Sequence, residues 1–369
     1  MSVLFFAHGL ISGTWLARIP AEQEHLALGD AALGLALLGG GLGSLITMVP
    51  AGALIARYGS RSMVVVLAAP WSVALGLIAF ASNWATLFVA LVLWGASAAS
   101  VDVAMNDQGS AIQEKRGRPI LSSLHGLWSL GTMAGGGLTA LLTSLGVSLE
   151  TQFLVEAPLL LGIAAAASRP MLPRGGLPGA PGAAFAIPGR ALLALAVVTF
   201  CGVTAEGSMY DWSGVYLRQS FDAPAAVAAS GAAWVAASMA VGRLVGDPFT
   251  ARFGAPVIAR SCAGLAAVGM LMVIVAPTLP VVFTGLVALG LGLSILVPLA
   301  FGAAGRTPGI APGAAIAAVA TVGYFGFLAA PPTIGLVAEH VSLRGAFVLL
   351  LALLILIGVL APATGERSS

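Results

Sequence analysis

Charge is what this sequence has least of. Only 8% of its 369 residues are charged and 59% are hydrophobic, with a mean hydropathy of +1.02. A soluble domain carries about 25% charged residues, so this chain cannot coat itself for water, and lipid is the expected solvent. Lysine is nearly absent: Lys115 stands alone and is followed by Arg116. No Gly-Lys-Ser/Thr phosphate cradle is therefore encoded, which excludes an ATP-driven pump. Cys201 and Cys262 both lie in hydrophobic runs without metal-ligand spacing, as expected of buried, inert thiols. A net charge of +2 and the lack of a basic stripe with interleaved aromatics argue against nucleic acid. There is no His-Glu-x-x-His, nucleophile elbow or Cys-x-x-Cys, so no enzyme, cofactor or metal is expected. The first twenty residues lack a basic leader, and Trp15-Leu16-Ala17-Arg18 is a poor cleavage site, so they read as a first span rather than a signal peptide.

What the chain does have is hydrophobic runs. They fall near 2–17, 31–55, 62–82, 85–112, 120–146 and 149–167, then near 191–217, 223–247, 256–276, 279–304, 312–338 and 343–361. A spanning helix needs about 20 apolar residues. These runs are too long for barrel strands, which alternate over about ten residues. The expectation is an all-α membrane protein of twelve transmembrane helices in two six-helix bundles, 1–168 and 191–369. The segment 169–190, rich in proline and glycine, joins them as an irregular tether. Arginines and the lysine concentrate in one set of loops (Arg57, Arg61, Lys115, Arg116, Arg118, Arg169, Arg174, Arg190, Arg252, Arg260, Arg306, Arg367). Only Arg18, Arg218 and Arg344 fall to the opposite set. The positive-inside rule then places both termini and the tether in the cytoplasm.

The two halves echo each other at an offset of about 195 residues. Phe5 matches Phe200, Gly95 matches Gly290, Gly131 matches Gly326, and Ala56-Arg57-Tyr58-Gly59 matches Ala251-Arg252-Phe253-Gly254. Duplicated membrane bundles usually move a solute between them. Gly9/Gly13, Gly39/Gly43, Gly131/Gly135 and Gly242/Gly246 are glycine pairs four residues apart, the spacing that lets helix backbones approach closely.

The stretch Gly52-Ala53-Leu54-Ile55-Ala56-Arg57-Tyr58-Gly59-Ser60-Arg61 resembles the cytoplasmic signature loop of the major facilitator superfamily. Gly242-Arg243-Leu244-Val245-Gly246-Asp247 followed by Ala251-Arg252-Phe253-Gly254 resembles it again in the second half. Ala56 stands where the family pattern has an acidic residue, which removes the carboxylate that latches this loop in family members. Arg243 and Asp247, one helical turn apart, can supply a similar latch in the second half. Gly13 to Pro20, Asp102 to Asn106, Glu206 to Trp212, Gly323-Tyr324 and Pro331-Pro332 look like a bacterial inner-membrane branch related to fucose-type sugar permeases. The resemblance implies a multi-pass protein of the inner membrane, working as a monomer. It also implies alternating access and a small, sugar-like solute.

An ionisable group inside a span costs several kcal/mol and so needs a reason. Asp102 and Asn106 share one face of the fourth helix near mid-depth, suited to binding hydroxyls or a proton. Glu206, at mid-depth in the seventh helix, is the candidate for coupling proton movement to solute movement. Asp211 sits nearer the outer surface, where it either lines a vestibule with Trp212 and Arg218 or is simply solvated. His125, Trp128, Ser129 and Thr132 form a stripe on the fifth helix. His8 and His125 are relay candidates, although a lone helix histidine is more often a hydrogen-bonded packing residue. Trp15, Trp128, Trp212 and Tyr324 suit stacking on sugar rings, although interface anchoring explains tryptophans too, as expected at Trp84. Arg57, Arg61, Asp107, Arg243, Asp247 and Arg252 are gating candidates, with Asp107 expected to pair with Arg57 or Arg61. The leading expectation is a proton-coupled secondary transporter of a small solute. The alternatives are a proton-driven drug or metabolite efflux antiporter, and a non-transporting receptor or scaffold of the same fold.

Overall fold

The computed structural model describes residues 1–116, 120–172 and 188–365. The tether expected over 169–190 falls largely outside these residues, as do Arg118, Arg174 and Arg367. Fourteen α-helices run through the described residues, in chain order: α1 (Ser2–His25), α2 (Asp30–Tyr58), α3 (Ser60–Ala79), α4 (Trp84–Arg116), α5 (Leu121–Ser144), α6 (Leu149–Ser168), α7 (Leu193–Phe221), α8 (Ala225–Ala229), α9 (Gly231–Phe253), α10 (Ala255–Val275), α11 (Leu279–Leu293), α12 (Leu296–Gly305), α13 (Pro312–Val341) and α14 (Leu343–Leu360). Eleven segments are long and apolar enough to cross a membrane, with α8–α9 forming one and α11–α12 another. Helix α5 supplies a twelfth. It is 24 residues long and free of Asp, Glu, Lys and Arg, and its serines, threonines and glycines are what lower its hydropathy.

The polarity of these helices is inverted relative to a water-soluble protein. On α6, Gln152 and Glu156 are buried while Leu154, Val155 and Leu159 are exposed. On α3, Val66, Val73 and Leu77 face out. Leucine and valine outside with glutamate inside is stable only where the surrounding solvent is hydrocarbon. The protein is a multi-pass, all-α membrane protein.

Two compact units divide the described residues. One lies within Met1–Ala184 and takes in Ala225–Ala233, and the other lies within Phe185–Pro224 and Trp234–Ser369. In the first unit α1 packs on α5, and α2 on α4. The glycine pairs explain how. A Cβ added at Gly9 or Gly13 would collide with the backbone carbonyls of Trp128 and Thr132. One added at Gly131 or Gly135 would collide with those of Phe6 and Leu10. The two pairs therefore face each other, and the helices meet backbone to backbone. Gly43 against the Val92 carbonyl, and Gly95 against that of Gly40, make the same seam between α2 and α4.

The internal repeat is conformational as well as sequential. Gly59 ends α2 at φ 81°, and Gly254 ends α9 at φ 82°. Each donates its N–H to the carbonyl four residues back, Ile55 at 2.8 Å and Thr250 at 2.9 Å, and accepts from the first turn of the next helix. Only glycine occupies this backbone region without strain. The preceding arginines match too, with Arg57 lying over the Tyr58 ring and Arg252 over Phe253. Ser342 makes the same turn between α13 and α14 at φ 83°, ψ 162°, with a side chain that region disfavours. Ser342→Gly is therefore expected to stabilise the protein by about 1 kcal/mol, read as a higher melting temperature in detergent. An unchanged or lower melting temperature would contradict the strain.

One helix is longer than its hydrophobic run. The first span was expected to end near residue 17, yet α1 continues to His25. The cause is that Arg18 is not a loop residue. It is 3% exposed, and its guanidinium donates to Gln152 Oε1 at 2.9 and 2.7 Å and to the Val147 carbonyl at 2.9 Å. With its donors satisfied by α6 and the turn before it, the arginine stays inside the bundle.

Candidate functional site

In the second unit the chemistry centres on Glu206. Its carboxylate faces the Arg243 guanidinium at 3.5 Å, pairing the middle of α7 with the middle of α9. Arg243 Nε also donates to the Ser294 carbonyl at 3.3 Å. That acceptor exists because the span breaks between α11 and α12, leaving carbonyls without helical partners. Gly242 makes the approach possible, since a Cβ there would strike the Ser294 side chain. Tyr210 lies one turn beyond Glu206 and donates to Met239 Sδ at 3.5 Å. A carboxylate, a guanidinium and a broken helix thus meet near the middle of their spans. Arg243 is accordingly not the partner of Asp247 in a loop latch. It sits at mid-helix with Glu206, while Asp247 is exposed one turn nearer the helix end.

In the first unit, α1, α4 and α5 hold a second polar set. Trp128 Nε1 donates to His8 Nδ1 at 2.9 Å, and His8 Nε2 meets the Ala98 carbonyl at 3.1 Å. An indole N–H is only a donor, so His8 Nδ1 accepts, and Nε2 carries the hydrogen given to Ala98. Trp71 covers the imidazole at 4.7 Å between ring centroids. This satisfied, neutral imidazole, 7% exposed, fits the packing role better than a relay. His125 differs: it is exposed, with Nε2 at 3.1 Å from Asn106 Oδ1, while Asn106 Nδ2 donates to the Asp102 backbone carbonyl at 3.0 Å. Asp102, Asn106 and His125 therefore do come together, linking α4 to α5. Ser129 and Thr132 are buried and bond back to carbonyls of their own helix.

Other expected site residues lie elsewhere. Trp15 is 3% exposed and packs on Phe153, and Trp212 is fully buried, so neither indole is open to stack on a solute. Tyr324 is 43% exposed. Asp211 is half-buried, and Arg218 donates to the Ala223 carbonyl at 2.8 Å at the end of α7. The expected pair of Asp107 with Arg57 or Arg61 is not formed. Arg57 lies over its neighbour Tyr58, and Asp107 Oδ2 is buried without a hydrogen-bond partner.

The network around Arg18 is legible only in the structure. Gln152 stands between Arg18 and Glu156: its oxygen takes the guanidinium, and its Nε2 donates to Glu156 Oε1 and to Thr139 Oγ1, both at 2.9 Å. Thr14 reaches the same glutamate oxygen at 3.4 Å. Arginine at the end of a hydrophobic run reads as a loop charge, and only the tertiary contacts show otherwise.

Comparison with known proteins agrees with this architecture. A model of the Major Facilitator Superfamily matches residues 1–309. An uncharacterised transporter of this superfamily type from Yersinia pestis is 32% identical over 359 residues, covering 97% of this chain and 93% of that protein. An uncharacterised transporter, y4wD, from Sinorhizobium fredii is 32% identical over 361 residues, covering 97% and 95%. Among solved structures, a mutant of the nucleoside transporter NupG superposes with a TM-score of 0.82 at 11% identity, covering 99% of this chain and 98% of that one. A bacterial homologue of the human lysosomal transporter Spinster gives 0.75 at 13% identity, covering 100% and 97%. These two share the fold. With a family model over most of its length and relatives alike almost end to end, the chain belongs to the major facilitator superfamily of membrane transporters and is not an enzyme.

Proposed function

We propose that the protein is a secondary active transporter that moves a small polar, sugar-like solute across a bacterial inner membrane by alternating access, coupled to protons. In this reading the chain consists of the six-helix bundles 1–168 and 191–369, joined by a cytoplasmic tether. The arginine bias of the loops supports placing both termini in the cytoplasm. The observation that carries the coupling is the Glu206–Arg243 pair. A carboxylate within a span stays ionised while a guanidinium faces it, and takes a proton when that guanidinium is drawn away. Asp102, Asn106 and His125 supply the polar contacts for solute. Symport and antiport use the same carboxylate, so uptake and efflux share this mechanism.

The test uses proteoliposomes. A thermal-shift screen of sugars, amino acids and drugs first selects a solute. Glu206→Gln is then expected to retain solute counterflow while losing accumulation driven by a pH gradient, by about tenfold or more. If Glu206→Gln accumulates solute against its gradient as the parent does, the coupling assignment fails.

A further inference from the structure

The two mid-membrane carboxylates are not in the same electrostatic condition. Glu206 has a counter-ion in Arg243. Asp102, about 21 Å from the Arg116 end of α4 at 1.5 Å per residue, is half-buried. Among the described residues its carboxylate has neither a hydrogen bond nor an ion pair, the contact with Asn106 being made by its backbone carbonyl. Among the described residues no arginine or lysine forms an ion pair with it. His8 is neutral, because its Nδ1 accepts the Trp128 indole hydrogen. Asn106 Nδ2 is spent on the backbone, so Oδ1 is its free acceptor, and His125 must give it the Nε2 hydrogen. His125 Nδ1 is left open to a hydroxyl. Asp107, more than a turn further along α4, is another carboxylate and adds no positive charge.

A bare carboxylate at this depth is stable while water reaches it. Once a solute replaces that water, the group needs a cation, and a solute can bring one. Resting on the transporter reading above, we infer that Asp102 is a specificity-determining residue that binds a protonated amine. Asn106 and His125 sit beside it to engage hydroxyls, so the preferred solute class is an aminated polyol or amino sugar over its neutral counterpart. Charge-assisted hydrogen bonds are about twice as strong as neutral ones, which gives the amine its advantage. The roles of the two units then divide: Asp102 selects the solute, and the Glu206–Arg243 pair handles the proton.

The experiment is equilibrium binding to the purified full chain in detergent, with no proton gradient. It uses three matched pairs: glucosamine and glucose, galactosamine and galactose, glucamine and sorbitol. At least one amine is expected to bind about tenfold tighter than its hydroxyl partner. Asp102→Asn should bring that ratio to near one by weakening the amine about tenfold more than its hydroxyl partner. Asp102→Glu, which keeps the charge, should retain the preference. Melting temperatures of both variants establish that they fold, and Asp102→Glu carries the test if Asp102→Asn does not. No preference in any pair overturns the inference. So does a preference that survives in Asp102→Asn, or one that is lost in a well-folded Asp102→Glu. An Asp102→Asn protein that loses pH-driven accumulation but keeps the amine preference would make Asp102 a proton site, and also overturns it. Because binding is read without a gradient, failure of the Glu206 coupling leaves this result unaffected, and the reverse holds.

Discussion

Gly135→Ala is expected to destabilise the protein by about 3 kcal/mol, while Gly137→Ala, two residues away on the same helix, leaves it unchanged or slightly more stable. The added methyl is the same in both. At Gly135 it lands on the Leu10 carbonyl and within 2.9 Å of the Thr14 nitrogen, whereas at Gly137 nothing lies within 4 Å. Overpacking ordinarily costs about 1–3 kcal/mol. The upper end applies here because the obstacle is backbone, which cannot rotate aside as a side chain can. Helix α1 would have to move away from α5, and Gly9, Gly13 and Gly131 would lose their close approach together. That motion also pulls His8 from Trp128, whose hydrogen bond crosses the same seam. At Gly137 only intrinsic helix propensity changes, and it favours alanine by about 0.5–1 kcal/mol. The measurement is thermal melting in one detergent, where Gly135→Ala should fall by about 5–10 °C. Equal shifts in the two variants would show that the seam is not what holds α1 to α5.

That prediction also marks how far the sequence could be read. Span number and the four-residue glycine pairs were legible because hydropathy and helical spacing are local properties. That Gly9 and Gly13 face Gly131 and Gly135 is a tertiary fact, and no single helix contains it. The same boundary runs through the site. Glu206, Asp102, Asn106 and His125 stood out because polar groups are rare in these spans and helical spacing places two of them on one face. Arg243 stood out for a different reason. Its loop-like motif with Asp247 suggested a latch, but its real partner is 37 residues away on another helix. Trp15 and Trp212 were read as solute platforms because an indole suits either stacking or packing. Burial decides between those roles, and the sequence does not report it. The break between α11 and α12 has a signal that went unread: Pro298, in the first turn of α12, has no N–H to give the Ser294 carbonyl four residues back.

Removing the positive half of the mid-membrane pair should cost more than removing both halves. Arg243→Met leaves the Glu206 carboxylate facing apolar neighbours and is expected to destabilise by about 2–3 kcal/mol. This falls below the 3–5 kcal/mol typical when one partner of a fully buried pair is removed, since the Arg243 side chain is 36% exposed. Glu206→Gln should cost only about 1 kcal/mol, because Arg243 keeps the Ser294 carbonyl and its exposed side. The double variant Glu206→Gln/Arg243→Met removes both charges at once. It should recover most of the loss, costing about 1 kcal/mol, a coupling of about 2–3 kcal/mol in the double-mutant cycle. Asp247→Asn, one turn further along α9 and outside the pair, should shift stability by less than about 0.5 kcal/mol. Melting in detergent measures all four. Strict additivity would mean that the 3.5 Å approach carries no net interaction, and a large Asp247→Asn effect would restore the loop latch that the structure replaces. Stability and coupling should also separate in the double variant. Folded but without an ionisable carboxylate, it should exchange solute and fail to concentrate it with a proton gradient. A double variant that still concentrates solute would move the proton site off Glu206.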